Sequence, residues 1–281
     1  MKKKTRIRVV LLAVLGASLF FLQSCGSASE SSESSGQLEL TGSSTVAPLA
    51  VEIGKRFEEE HPGVKVDVQT GGSSRGITDA RSGVADIGMV SRSLKDEEND
   101  LLAYTIALDG VSLILHKDNP VQTLSDDQVR SIYTGKTSNW KDVGGNDAPI
   151  TVVNKAEGRS TLELFLDHFG LKNTDIQANV VIGDNEQGIK TVAGDPNSIG
   201  YVSIGTAEHD AADGVPIKLL PTGGVEASTE NVRNGTFPIS RPLNLVTASQ
   251  PEGLRKEFID FASSKDQQDL VEEQFFVPLS G

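Results

Sequence analysis

The chain has 281 residues, with 39 acidic and 26 basic side chains and a formal net charge of -13. An acidic surface repels polyphosphate backbones and anionic lipid headgroups, so the composition excludes a general nucleic-acid binder and a protein held on membranes by basic charge. Hydrophobic residues make up 37% of the chain and aromatic residues 5%, which is typical of a globular protein with one or two domains.

The first 24 residues differ from the rest of the chain. A basic cluster is followed by an apolar run of 14 residues, 9–22. Because a membrane span needs about 20 apolar residues, this run predicts a signal peptide over residues 1–24. The lone cysteine, Cys25, follows directly and cannot form an internal disulfide. Its position resembles a bacterial lipobox, which implies acylation of Cys25; an ordinary signal peptide with an incidental thiol is the alternative.

Residues 25–36 are rich in Ser and Gly and predict a flexible linker. From Leu38 onward, short β-branched runs alternate with helix-like segments, which indicates an α/β fold with a largely parallel sheet. The predicted strands include residues 38–40, 64–68, 85–90 and 150–153. The predicted helices include residues 46–60, 77–82 and 162–169, and a polar helix that begins near Leu94.

Three of these strands end in a loop of Ser, Thr or Gly that opens a helix. The N–H groups at a helix start lack internal partners and carry partial positive charge, so such loops favour an anion. Plain N-capping is the alternative for any single loop. The candidate ligand residues are Ser43, Ser44 and Thr45 in the first loop, Ser73 and Ser74 in the second, and Ser91 and Arg92 in the third.

A fourth loop follows the strand at residues 150–153 and adds Arg159, Ser160 and Thr161. The planar guanidinium of Arg159 suits a tetrahedral oxyanion. The alternative is a surface pair with Glu163, one helical turn further along.

The order of these motifs along the chain is specific. Segments 42–45, 72–74, 86–92 and 158–161, with 132–135, 139–140, 198–201 and 237–243, resemble the phosphate-binding proteins of Pst-type ABC transporters. The resemblance covers essentially the whole mature chain. It implies a two-lobed periplasmic-binding-protein (type II) fold, with a hinge of two crossover strands at 111–115 and 243–247 and a ligand cleft between the lobes. Lobe 1 would comprise residues 37–115 plus 243–281, and lobe 2 residues 116–242.

The same resemblance implies a function. The protein would be an exported lipoprotein anchored on the cell membrane, facing the periplasm or the extracellular side, with the N-terminal lipid as its sole membrane contact. As a monomer it would capture inorganic phosphate and deliver it to an ABC permease and ATPase complex. It would be no enzyme, and it would need neither cofactor nor metal.

Two departures from the family pattern concern charge. Lys155 stands where the family commonly has Arg, and Arg159 where a Ser is common. Some members carry an Asp after the third strand that accepts a proton from phosphate, whereas here Ser91 and Arg92 occupy that region. Glu157 would supply that acceptor or pair locally with Lys155 or Arg159. Sulfate and molybdate therefore stay open as alternative ligands. Three roles are open for Arg75 and Arg92: each would contact the ligand, connect the two lobes through acidic residues on the opposite lobe, or face solvent.

Other function classes fit less well. Ser73 lies in a strand–turn–helix pattern like that of a serine hydrolase nucleophile, but no His occurs in the last 72 residues. The histidines lack zinc-site spacing. The acidic run 96–100 lacks the spacing of a calcium loop and predicts a solvated helix face. Trp140 and Tyr133 are expected to be packing residues near the surface of lobe 2.

Overall fold

The computed structural model describes residues 36–279. The predicted signal peptide, the lipidation site Cys25 and all of the predicted linker except Gly36 lie outside the described residues. Across residues 36–279, no helix combines the length and the apolar character needed to cross a bilayer.

Strands and helices alternate along the described residues, as predicted for an α/β fold. The strands are β1 (Gly36–Gly42), β2 (Val64–Thr70), β3 (Ile87–Val90), β4 (Leu102–His116), β5 (Thr151–Lys155), β6 (Val180–Ile182), β7 (Ser198–Ser203), β8 (Ile217–Leu219) and β9 (Ser240–Thr247). The α-helices are α1 (Ala47–Glu60), α2 (Ser73–Ser82), α3 (Asp126–Tyr133), α4 (Ser160–Phe169), α5 (Asn185–Gly194), α6 (Ile204–Ala212), α7 (Thr229–Arg233), α8 (Gly253–Ala262) and α9 (Gln268–Glu273).

The strands form one sheet in the order β2-β1-β3-β9-β4-β7-β5-β6, and β8 also pairs with β4. The α/β class is confirmed, but the prediction of a largely parallel sheet is wrong in the middle. Parallel pairs occur at the two ends, whereas β9 pairs antiparallel with both β3 and β4. The reason is that the chain passes from one half of the sheet to the other along β4 and returns beside it, in the opposite direction, along β9.

The buried apolar side chains form two main clusters, one on each side of the middle of β4. The first cluster uses residues 38–107 and 243–276 and includes Leu40, Phe57 and Phe258. The second uses residues 111–239 with Val277 and includes Tyr133 and Trp140, which are fully buried. Tyr133 and Trp140 therefore pack in the interior and not near the surface. The clusters divide close to the predicted lobe boundaries, which stay a prediction.

Two helix predictions need correction. Helix α2 begins at Ser73 and not at residue 77, because Gly72 takes a φ of 96°, a turn that glycine adopts readily, and the helix starts directly after it. The polar helix predicted near Leu94 is wrong, since the chain forms one 3-10 turn there, Asp96–Glu98. The acidic run 96–100 is exposed, as predicted, except for Glu98, which is buried, and it is not part of an α-helix.

Candidate functional site

A small cavity lies where β1, β2, β3 and β5 end. Eight of the ten ligand residues predicted from the sequence contribute to its wall, together with one glycine. The wall consists of Ser43, Ser44, Thr45, Gly72, Ser73, Ser91, Arg159, Ser160 and Thr161. The structure thus brings the four predicted loops together, and their part in ligand binding stays a prediction.

Three helices begin at this cavity. Ser73 is the first residue of α2, Ser160 is the first residue of α4, and Thr45 lies two residues before α1. The N-terminal end of a helix carries partial positive charge and unpaired N–H groups. The cavity therefore lies in a field that favours an anion.

Serine hydroxyls connect the walls of the cavity. Ser43 Oγ accepts hydrogen bonds from the N–H groups of Thr45 (3.1 Å) and Val46 (3.3 Å), and it donates to Ser91 Oγ at 3.0 Å. Ser91 N–H donates to Ser73 Oγ at 3.2 Å. In contrast, Ser160 Oγ is buried and has no hydrogen-bond partner among residues 36–279. Because buried hydroxyls are normally paired and Ser160 belongs to the cavity wall, its hydroxyl is a candidate to bind a polar ligand.

A buried arginine lies directly behind this wall. Arg241, on β9, donates to Asp109 Oδ2 from Nε (3.0 Å) and Nη2 (2.7 Å), and both side chains are 0% exposed. Its Nη1 donates to Thr161 Oγ1 at 3.0 Å and to Ser91 Oγ at 3.4 Å. Its Nη2 also reaches Thr45 Oγ1, at 3.3 Å. Arg241 thus holds three wall hydroxyls, each from a different loop, in one network.

Sequence analysis missed Arg241 as a site residue, although it belongs to the family motif 237–243. The signal was a charged side chain in a strand whose other residues are mostly apolar, and the same is true of Asp109 in β4. Charged residues are almost never fully buried unless they are paired. An arginine in such a strand therefore indicates a buried acidic partner. The identity of the partner and the location of the pair beside the cavity become clear only from the folded structure.

Arg159 lies at the N-cap position of α4, at the mouth of the cavity. Its Nε is buried with no hydrogen-bond partner in the part of the chain that the structure describes. Glu163, the alternative partner considered for Arg159, instead pairs with Arg92 and Lys95. The Arg159 guanidinium is therefore available to a ligand.

A second buried basic side chain is connected to the cavity wall through Asn185. Lys155, the last residue of β5, is 3% exposed, and its Nζ donates to Asn185 Oδ1 at 2.8 Å. Asn185 Nδ2 donates in turn to Thr45 Oγ1 at 3.1 Å. Burial lowers the pKa of Lys155 to about 7, and the positive charge of Arg241 acts in the same direction.

Two predicted ligand residues, Ser74 and Arg92, do not form part of the cavity wall. Ser74 lies against the loop before α4, where its N–H donates to Gly158 O at 3.2 Å. Glu157 is exposed and accepts a hydrogen bond from Asn173 at 2.8 Å, so its predicted pairing with Lys155 or Arg159 is wrong. Arg75 pairs with an acid one turn along α2.

Arg92 belongs to a cluster of charges beside the cavity. Its Nη1 and Nη2 donate to the Glu98 carboxylate at 2.6 and 2.9 Å, and its Nε lies 2.8 Å from Glu163 Oε2. Lys95 Nζ lies 2.9 Å from the same oxygen. We call Arg92, Lys95, Glu98 and Glu163 the Arg92–Glu163 clasp. It connects the segment after β3 to α4, a helix of the second apolar cluster.

Ser73 is not positioned like a hydrolase nucleophile, because its Oγ accepts the Ser91 N–H. The four histidines of the chain, all of which are described, have polar partners elsewhere. They are His61 with Phe57 O, His116 and His168 with Asp118 and Asp126, and His209 with Asp210 and Asp213. Among residues 36–279, no three His, Cys, Asp or Glu side chains cluster as metal ligands.

Comparisons with known proteins identify the family of the chain. The model of the PBP superfamily domain matches residues 27–266. The phosphate-binding protein PstS of Bacillus subtilis is 29% identical, covering 97% of this chain and 94% of its own. PstS of Borreliella burgdorferi is 27% identical, covering 96% and 97%.

Solved structures are also similar. A phosphate-bound Clostridium perfringens protein, assigned to phosphate ABC transport as a substrate-binding protein, has a TM-score of 0.80 and 36% identity. The alignment covers 87% of this chain and 100% of the Clostridium perfringens chain. An ABC-type phosphate transport receptor from Vibrio cholerae has a TM-score of 0.69 and 30% identity, with the same coverage. The chain therefore belongs to the PBP superfamily and, within it, to the PstS-like group.

Proposed function

We propose that this chain is the receptor of a phosphate ABC transporter, which captures inorganic phosphate outside the cytoplasm and delivers it unchanged to the permease and ATPase complex. The observation that carries the proposal is the cavity between four loops, with its unpaired Ser160 hydroxyl and the buried guanidinium of Arg241 behind it. The names of the relatives from Bacillus subtilis and Clostridium perfringens, which refer to phosphate, support the choice of ligand.

The chemistry of the wall fits a dehydrated tetrahedral anion. An anion that leaves water must find hydrogen-bond donors and positive charge in place of its hydration shell. Hydroxyl groups and the Arg159 guanidinium supply the donors, and the N-terminal ends of three helices supply partial positive charge. Arg241 supplies a charge that its full burial shields little from the ligand.

Discrimination between phosphate and other oxyanions is a separate matter. The wall contains Ser, Thr, Gly and Arg but no carboxylate that would accept a proton from phosphate. Asp109 does not fill that role, because its Oδ2 accepts from Arg241 and its Oδ1 accepts the Gly205 N–H at 3.2 Å. Sulfate and molybdate are therefore the alternative ligands that a binding experiment must include.

Capture would work by closure of two lobes, residues 37–115 plus 243–281 and residues 116–242. Both sides contribute to the cavity wall, since Ser43 to Ser91 come from the first segment and Arg159 to Thr161 from the second. The Arg92–Glu163 clasp joins the same two segments by ion pairs. A bound anion would contact residues of both lobes, and the ion pairs of the Arg92–Glu163 clasp would connect the same two lobes. Both interactions would therefore stabilise the closed conformation.

The proposal includes export and membrane attachment. The signal peptide over residues 1–24 and the lipobox at Cys25 support a lipid-anchored receptor that faces the periplasm or the extracellular side. In that position the protein would act next to the permease.

Titration calorimetry tests the choice of ligand. The purified protein, dialysed until free of bound anion, is titrated with phosphate, sulfate and molybdate in separate runs. We expect phosphate to bind more tightly than the other two. If sulfate or molybdate binds more tightly than phosphate, that anion is the ligand and the assignment of phosphate is refuted. If none of the three anions binds, the receptor function is refuted.

A pair of serine variants then tests the site itself. Ser160→Ala removes the unpaired hydroxyl in the cavity, and it should weaken phosphate binding about 10- to 100-fold, because a hydrogen bond to a charged group contributes about 1.5–3 kcal/mol. Ser264→Ala is the matched control, since Ser264 Oγ is also buried without a partner in the described residues but lies outside the cavity wall. Equal effects of the two substitutions would argue against this cavity as the binding site.

A further inference from the structure

Lys155 is a buried amine with no acid beside it. Its side chain is 3% exposed, and its Nζ donates to the neutral side chain of Asn185. Among residues 36–279, no carboxylate oxygen lies within ion-pair distance of this Nζ. A buried ammonium group without a counter-charge is unfavourable, so it either loses its proton or acquires an anion nearby.

The cations around Lys155 make its ammonium form still less favourable. Arg241 on β9 and Arg159 at the start of α4 both repel an ammonium group at this position, although less than burial itself disfavours it. Burial, followed by these two charges, lowers the pKa of Lys155 to about 7, which is in the range where an amine changes its protonation state near neutral pH.

The acids around Lys155 do not pair with it. Asp184, which caps α5 and accepts the Gln187 N–H at 2.8 Å, favours the ammonium form, but by less than burial and Arg241 disfavour it. Asp109 forms its ion pair with Arg241 and not with Lys155. On β7, Tyr201 accepts the Lys155 N–H at 3.3 Å, and burial raises the pKa of its phenol, which therefore stays neutral.

Lys155 is nevertheless connected to the ligand cavity. Asn185 Oδ1 accepts from Lys155, and Asn185 Nδ2 donates to Thr45 Oγ1, which belongs to the cavity wall. This path runs from β5, through the first turn of α5, to the loop before α1. The protonation state of Lys155 thus affects the positions of Asn185 and Thr45. It also changes the amount of positive charge next to the cavity wall.

We propose that the binding of phosphate is coupled to the protonation of Lys155, which makes Lys155 the positioning residue that sets the pH dependence of capture and release. The proposal rests on the proposed function, since it requires an anion in this cavity. An anion favours the ammonium form of Lys155 by Coulomb attraction through a buried, poorly screening region. Binding then takes up a proton from solvent.

The sign of the effect follows from linkage. Where the free protein is partly deprotonated at Lys155 and the complex is protonated, affinity falls as the pH rises. The decrease reaches about tenfold per pH unit above the pKa of the free amine. Affinity should therefore be highest below pH 7 and should fall through the weakly alkaline range, while dissociation of phosphate becomes easier.

The experiment measures proton uptake and affinity together. Calorimetric titrations with phosphate at pH 7, 8 and 9, each in two buffers of different ionisation enthalpy, give the number of protons bound per phosphate. Wild type is compared with Lys155→Met, which has no titrating group, and with Lys155→Arg, which keeps a permanent charge. The ionisation of phosphate itself is the same in all three proteins, so differences between them belong to Lys155.

We expect wild type to take up more protons than either variant at pH 8. The ratio of its affinity to that of Lys155→Met should fall by up to about 50-fold between pH 7 and pH 9, given a pKa of about 7 for the free amine. Equal proton numbers and parallel pH profiles in the three proteins would overturn the coupling while leaving the receptor function intact. If Lys155→Met fails to fold, Lys155→Arg carries the comparison, and absence of phosphate binding by wild type at every pH would refute both proposals.

Discussion

Removal of the Arg241 guanidinium should destabilise the fold and weaken phosphate binding, for two separate reasons. Arg241 makes two hydrogen bonds to Asp109 and three to hydroxyls of the cavity wall, with both charged side chains 0% exposed. In Arg241→Met the carboxylate of Asp109 is left buried and unpaired, which costs about 3–5 kcal/mol of unfolding free energy. The loss of a buried cation beside the anion should weaken phosphate binding by about 2–5 kcal/mol, which is at least about 30-fold.

The double variant Asp109→Asn/Arg241→Met separates the two effects. It removes both charges of the pair, so it should recover most of the unfolding free energy that Arg241→Met loses, but it should not recover phosphate binding. Asp109→Asn alone keeps the cation and should still bind phosphate. Stability is measured by urea unfolding followed by circular dichroism in phosphate-free buffer, and affinity by calorimetry. Wild-type affinity in the double variant would refute a role for Arg241 in binding, and unchanged stability of Arg241→Met would refute the buried-pair argument.

Further substitutions test the supports of the cavity. Glu163→Gln removes the acid that bridges both cations of the Arg92–Glu163 clasp, so phosphate should dissociate about tenfold faster in stopped-flow measurements, and an unchanged rate would exclude the clasp as a stabiliser of the bound form. Gly72→Ala places a Cβ 2.6 Å from Gly158 O and 2.8 Å from Arg159 Cδ at a φ of 96°, so it should cost about 1–3 kcal/mol of stability and weaken binding. The control Gly83→Ala, at a φ of 72° with open space around its Cβ, should have only the backbone cost of about 1–2 kcal/mol and leave the affinity unchanged.

The α/β alternation and the four loops at the cavity follow from local sequence, because strand and helix periodicity and turn residues act over a few residues. Local sequence specifies the element boundaries poorly where periodicity is weak. The segment from Ser73 to Gly76 has no apolar repeat, so the sequence indicated a loop, whereas Gly72 starts the helix directly after the strand. The acidic run 96–100 was interpreted as a solvated helix face, but Arg92 draws Glu98 into the interior and leaves one short turn.

The components of the site that sequence analysis missed are held by contacts between distant parts of the chain. Arg241 and Asp109 are 132 residues apart and meet because β9 lies beside β4 in antiparallel register. Asn185 and Thr45 are 140 residues apart and meet across the cavity. No local pattern specifies such pairs. The same holds for Arg92, whose motif suggested a ligand contact while its partners, Glu98 and Glu163, come from one nearby turn and one remote helix.

The position of β9 has a consequence for how the chain is assembled. The second apolar cluster is built almost entirely from one continuous stretch, residues 111–239, whereas the first also needs residues 243–276. Strand β9, the last strand of the described residues, lies between β3 and β4 in the sheet. Before β9 is synthesised, the edges of β3 and β4 that pair with it have no partner strand. During biosynthesis the second cluster can therefore pack before the first. A chain that stops short of β9 keeps two unpaired strand edges, which are sites for aggregation, and it lacks Arg241 as well.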